Sequence, residues 1–166
     1  EVVIHPSGRR SRVDGVDLPA VDGQVVSVAE AAAPRSVTLR LADDIDVARG
    51  DLIASPQDEP TVCRALSGPV AVLSDRPLRV RDRVLARVGT RTVRGIVESI
   101  DDELDITTMT HLPTGDSLGL NAIGRVTVRL AEPVALDDYR QLRHTGAFLL
   151  IDEVDGTTLA AGMAQE

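Results

Sequence analysis

The stretch LRVRDRVLARV, Leu78 to Val88, decides the fold class. Leu78, Val80, Val84, Ala86 and Val88 share one face, opposite Arg79, Arg81, Arg83 and Arg87. That period of two belongs to a half-buried strand and conflicts with the 3.6-residue period of an amphipathic helix. The alternation recurs upstream in SVTLRL, where Val37, Leu39 and Leu41 oppose Ser36, Thr38 and Arg40. It recurs downstream in RVTVRL, where Val126, Val128 and Leu130 oppose Arg125, Thr127 and Arg129. Asp14-Gly15, Asp22-Gly23, Gly89-Thr90 and Asp155-Gly156 read as turns between such strands. Helical periodicity is scarce. The Ala-rich AVDGQVVSVAEAAAP, residues 20–34, is cut short by Pro34, and LDDYRQL, Leu136 to Leu142, has room for one helical turn at most. Many short strands with frequent turn signals predict an all-β sandwich or barrel.

A chain of 166 residues has room for one mid-sized domain or two small ones. The boundary is expected at SPQDEP, Ser55 to Pro60, where two prolines among polar residues separate the strand-like DLIA from the apolar CRALSGPVAVL. Residues 1–60 then form one β unit and residues 61–166 a second. The chain lacks an initiator Met and begins inside what reads as a strand, so it is expected to be a piece of a longer protein.

Composition removes several functions. The 18 basic side chains are all Arg. Without Lys there is no GxxxxGK[ST] phosphate loop and no Schiff-base lysine. The Arg bias, with abundant Ala, Val, Asp and Gly, points to a GC-rich bacterial genome. A net charge of −8 disfavours nonspecific nucleic-acid binding, which depends on neutralising phosphates. No apolar run reaches the roughly 20 residues of a membrane helix, and the N-terminus lacks the layout of a secretory signal. The single Cys63 cannot close an internal disulfide, so a reducing, cytoplasmic setting is expected.

Candidate chemical groups are dispersed. His5, His111 and His144 stand far apart and none is near Cys63 in sequence, which favours isolated surface or turn histidines over a zinc site. There is no GxSxG elbow. The acidic clusters DDELD, Asp101 to Asp105, and DEVD, Asp152 to Asp155, lack calcium-loop spacing and read as solvated loops. Asp75 to Arg94 carries seven arginines on what reads as two neighbouring strands. The solvated face of a hairpin, paired across strands to carboxylates, explains them better than a surface for phosphates or an acidic partner. No catalytic, cofactor-binding or metal-ligating residue is therefore assigned.

Within LADDIDVARGDLIA, Leu41 to Ala54, lies Arg49-Gly50-Asp51, a tripeptide known from adhesion ligands. A local explanation is at hand. Ile45 and Val47 would anchor the approach to a turn, Gly50 would supply backbone freedom, and Asp51 would bond nearby backbone before Leu52-Ile53-Ala54 begins a closing strand.

Taken together, these segments resemble the second and third domains of translation-factor-like GTPases. The likeness is greatest to the large, GTPase subunits of bacterial sulfate adenylyltransferases. VVIHPSGRRSRV resembles a strand entry in the second domain, and LADDIDVARGDLIA resembles the signature that closes it. PLRVRDRVLARVGTRTVRGIVESIDDELDITTMT and LGLNAIGRVTVRLAEPVALDDY are similar to the sulfate-activation branch, through Asp105-Ile106, Leu120 to Gly124, Glu132-Pro133 and Asp138-Tyr139. TGAFLLIDEVDGTTLAAGM resembles the last hairpin of the third domain, which elongation factor Tu shares more distantly.

The resemblance implies two antiparallel β-barrels, the first incomplete at its N-terminus. It implies a cytoplasmic parent that couples GTP hydrolysis to formation of adenosine 5′-phosphosulfate from ATP and sulfate. The implied partners are a small adenylyltransferase subunit and the parent's own GTPase domain. In some bacteria such a parent is fused to adenylylsulfate kinase. GTP and Mg would belong to the GTPase domain, so no cofactor is expected in this chain, and neither nucleic acid nor membrane is an expected partner. The alternative is a translation-factor barrel that binds an RNA end, against which the negative charge weighs.

Overall fold

The computed structural model describes residues 1–19 and 24–165. The chain divides into two compact units: Glu1–Ala48 with Leu52–Glu59, and Arg49–Asp51 with Pro60–Glu166.

The first unit holds β1 (Val2–His5), β2 (Arg9–Ser11), β3 (Val13–Pro19), β4 (Val25–Val28), β5 (Thr38–Leu41) and β6 (Leu52–Ala54). They form two three-stranded antiparallel sheets, ordered β2-β1-β6 and β4-β3-β5. Short strands bury little here. Val3 and Ile4 are its buried apolar side chains among the described residues. Polar contacts do much of the fastening: Ser11 Oγ donates to Asp43 Oδ2 at 2.8 Å, and Arg40 Nε lies 3.0 Å from Asp17 Oδ2.

Two expectations change in this unit. Asp14-Gly15 is not a turn; both residues lie inside β3, where a bulge shifts the register between Val13 and Gly15. The Arg40 guanidinium lies over Gly15, where a Cβ would stand 2.2 Å from its Nη2 and the flexible side chain would have to swing aside. The Ala-rich segment is not helical over its described part: Val25–Val28 is β4, and β-branched valines favour the extended backbone. Residues 20–23, with the Asp22-Gly23 pair, lie outside the described residues.

The second unit comprises β7 (Thr61–Val72), β8 (Leu78–Arg79), β9 (Arg83–Val88), β10 (Arg91–Asp105), β11 (Thr110–Leu112), β12 (Ser117–Leu118), β13 (Ile123–Leu136), β14 (Ala147–Asp152) and β15 (Thr158–Met163). One helical turn, α1 (Arg143–Gly146), precedes β14. The strands β10-β13-β7-β15-β14-β9 pair in that order, and β9 pairs again with β10. Six antiparallel strands thus close a barrel with no free edge between them.

Its interior is the alternation made solid. Leu66, Val70 and Val72 of β7 meet Val126, Val128 and Leu130 of β13, Val84, Ala86 and Val88 of β9, and Phe148 and Leu150 of β14. Small residues make room for large ones. The sole Phe faces Gly162 across β14 and β15, where any Cβ would lie 2.2 Å from the ring.

The deciding stretch itself is interrupted. Arg81 takes a φ of 72° and ends β8, and Asp82 Oδ2 accepts from the Arg79 amide at 2.9 Å, so a turn divides Leu78 to Val88 into β8 and β9. The facing is kept: Leu78, Val84, Ala86 and Val88 are buried. Gly89-Thr90 and Asp155-Gly156 are turns as expected, with φ of 56° at Gly89 and 78° at Gly156. The helical turn falls at Arg143–Gly146, after LDDYRQL rather than within it. Asp138 holds LDDYRQL in a tight turn instead, its Oδ1 accepting from the Arg140 amide at 2.7 Å.

Candidate functional site

The dispersed candidates serve mainly as structural groups. Expected at the surface, His5 is instead 4% exposed on β1. It is covered because β1 is the central strand of its sheet. Its Nε2 lies 3.4 Å from Glu59 Oε2, close enough for ion pairing but without hydrogen-bond geometry. His111 is exposed, with Nδ1 3.1 Å from Asp102 Oδ1, and His144 is exposed on α1. Cys63 is half-buried and its Sγ donates to the Ala65 carbonyl at 3.1 Å. Among the described residues no group of three or more His, Cys, Asp or Glu is arranged to hold a metal ion.

DDELD differs from the expected solvated loop, whereas DEVD runs from the end of β14 into an exposed turn as expected, apart from the buried Asp152. DDELD is the far end of β10; one bulge, between Val97 and Ser99, precedes it and a second, between Ile100 and Asp102, includes its first residue. The bulges bend the strand so that it continues into a hairpin with β11. Asp105 Oδ1 accepts from the amides of Thr107 (2.8 Å) and Thr108 (3.3 Å), which holds its carboxyl below the usual aspartate value of 3.8. In DEVD, Asp152 is buried; it pairs with Arg76, and its Oδ1 accepts from the Val154 amide at 2.7 Å. Asp155 Oδ1 accepts from the Thr157 amide at 2.8 Å, and its carboxyl is likewise lowered, chiefly by that bond. These carboxylates cap turns.

The seven arginines spread over β8, β9, β10 and their turns. Arg76 pairs with Asp152 and Asp82, Arg91 with Asp51 and Glu132, and Arg94 with Glu153. Three of the seven thus pair with carboxylates, and of these only Arg91 and Arg94 lie on a strand, β10. Arg49-Gly50-Asp51 is explained by one of these pairs. Gly50 has φ 99° and lies so close to Arg91 that a Cβ would stand 2.9 Å from the Arg91 Cα. Asp51 Oδ1 is 3.2 Å from Arg91 Nη1, with the Asp51 side chain 12% exposed. The turn is real, and the Asp51 side chain reaches across to a residue distant in sequence. Ile45 is half-buried and Val47 is exposed, so only Ile45 acts as an anchor.

Two surfaces of the second unit stand out, and sequence reading assigned neither. One is a groove of about 520 Å³ outside the barrel wall, floored by the cross-strand row Ile123, Ala71, Ala161 and Leu149, with Arg87 at its end. The signal was present in SGPVAVL, where the residues between the inward valines are also apolar. The other is a groove of about 510 Å³ beside the β10–β11 hairpin, with Leu104, Ile106, Leu112 and Leu120 in its lining. Among the described residues of this unit one hydroxyl sits against a carboxylate, Thr145 Oγ1 donating to Asp137 Oδ2 at 2.5 Å.

Residues 67–165 match the family model described as GTP-eEF1A C-terminal domain-like. The chain belongs to that family. The match to the GTP-eEF1A C-terminal domain-like family covers nearly all of the second unit, the closed barrel included. The whole chain is similar to the "Bifunctional enzyme CysN/CysC" of Mycobacterium tuberculosis, 39% identical over 98% of this chain and 26% of that protein. It is also similar to "Sulfate adenylyltransferase subunit 1" of Shewanella oneidensis, 35% identical over 98% of this chain and 33% of that protein. The chain therefore spans a third or less of the length of these curated relatives. Among solved structures, Sup35 complexed with GMPPNP superposes with a TM-score of 0.83, at 17% identity over 98% of this chain and 39% of that one. At that identity the likeness concerns the fold.

Proposed function

We propose that this chain is a non-catalytic β-barrel region of a GTP-dependent sulfate adenylyltransferase large subunit. The observation that carries the reading is chain-long similarity to sulfate adenylyltransferase subunit 1, together with a closed barrel whose charged side chains cap turns and pair with one another. The parent would act in the cytoplasm and couple GTP hydrolysis to formation of adenosine 5′-phosphosulfate from ATP and sulfate, with GTP and Mg held in another domain. A small adenylyltransferase subunit would be its partner, and fusion to adenylylsulfate kinase is proposed by analogy with the bifunctional relative. The closed barrel would serve as a rigid body that carries a nucleotide-dependent movement to that partner.

The test uses the full-length protein mixed with the small subunit, ATP and sulfate. GTP is expected to stimulate adenosine phosphosulfate formation. No dependence on sulfate would overturn the reading, and salt-dependent binding of aminoacylated tRNA would favour the translation-factor alternative.

A further inference from the structure

Large apolar side chains are concentrated on one protrusion of the second unit. Ile106 is 69% exposed, Met109 70%, Leu112 47% and Leu120 47%. Ile106, Leu112 and Leu120 line the groove of about 510 Å³ together with Leu104 and Pro113. Water contact with this much clustered apolar surface is unfavourable, and such patches mark places of association.

The hairpin is held rather than loose. Glu103, Leu104 and Asp105 pair with Leu112, His111 and Thr110. Asp105 caps the tip through the Thr107 and Thr108 amides, the Thr108 and Thr110 hydroxyls bond at 2.7 Å, and Asp102 reaches His111. A pre-formed surface loses little freedom on binding. β11 also ends its sheet, leaving the outer edge of Thr110–Leu112 without a strand neighbour among the described residues. The surround is acidic: Asp101, Glu103, Asp105 and Asp116 flank the apolar residues, and the nearby basic groups are His111, 3.1 Å from Asp102, and Arg125, whose guanidinium donates to Gln165 Oε1 at 2.9 Å.

We propose that the β10–β11 hairpin and its groove form a docking arm for the small adenylyltransferase subunit, which would receive it in an apolar cleft rimmed by Arg or Lys. The choice of occupant rests on the function proposed above, and the charge of the arm defines the surface that fits it.

The test measures binding of the full-length protein to the small subunit by calorimetry, for wild type and for Ile106→Asp/Met109→Asp. Both positions are exposed, so circular dichroism and melting should be unchanged. Affinity is expected to fall at least about tenfold, while Val154→Asp, on the exposed β14–β15 turn, leaves it unchanged. Ile106→Ser/Met109→Ser provides the same comparison should the charged pair disturb folding. Amide exchange of residues 104–112 is expected to slow in the complex. Unchanged affinity of the arm variants, with exchange there unaltered, overturns the arm and leaves the proposed function standing. Failure of the wild-type protein to bind the small subunit overturns both.

Discussion

The two units use the same strand alternation to different ends. In the second unit, strands of 6 to 15 residues close on themselves and enclose 20 buried apolar side chains. In the first, strands of 3 to 7 residues form two open sheets, and Val25 and Val26 of β4 stand 68% and 51% exposed. Closure makes the difference. A strand inside a closed barrel has a neighbour on both edges and one face wholly removed from water. A strand at the edge of a three-stranded sheet has neither, so its apolar residues stay wet and polar contacts such as Ser11 to Asp43 take a larger share of the fastening.

The contrast is broken most severely from inside the barrel. Leu66→Ala, at a fully buried position, should destabilise the protein by about 2–5 kcal/mol, whereas Val26→Ala should stay within about 0.5 kcal/mol. Urea unfolding read by circular dichroism checks both; similar midpoints for the two variants would erase the distinction. Native-state hydrogen exchange sharpens it, since amides of β13 should be protected far longer than those of β4.

The Arg49-Gly50-Asp51 turn comes next, because it counts with the second unit although its sequence neighbours count with the first. Gly50→Ala meets both a positive φ and the Arg91 backbone, and should cost about 1–3 kcal/mol. Asp51→Glu keeps the charge but displaces it from Arg91, for a loss of about 1 kcal/mol. If Gly50→Ala matched wild type in thermal melting, the turn would not be under this constraint.

These cases also show what a sequence carries. Val126, Val128 and Leu130 could be placed inward without coordinates, because a period of two states which face is buried. The break at Arg81 could not, since a non-glycine residue with φ of 72° has no pattern of its own. His5 was hidden for another reason: burial depends on which strands flank β1, and β6 lies nearly fifty residues away. The partner of Asp51, forty residues on, was beyond a local reading in the same way. The apolar groove residues Ala71, Leu149 and Ala161 belong to three strands, and only the register sets them in one row. The exposed hairpin escaped notice because Ile106, Met109 and Leu112 are irregularly spaced among polar residues, and their exposure follows from the bulges in β10.

Among the turn carboxylates, Asp152→Ala should have the larger effect, since it strips a buried acceptor from both Arg76 and the Val154 amide; about 1–3 kcal/mol is expected in the same urea assay. Asp105 and Asp155 should give the smallest effect, visible only in acid. Both have folded-state pKa values lowered by amide donors, so each contributes stability that is present above the unfolded aspartate value of 3.8 and lost as pH falls through the lower folded value. Both are at the surface, so water screens the benefit and the response should be local. Amide resonances of Thr107 and Thr157 should shift with midpoints below 3.8, while the buried β13 amides stay fixed over the same range. Asp105→Asn should abolish the shift at Thr107 and leave that at Thr157 intact. A midpoint at or above 3.8 for either threonine would mean that its carboxylate is not holding the turn.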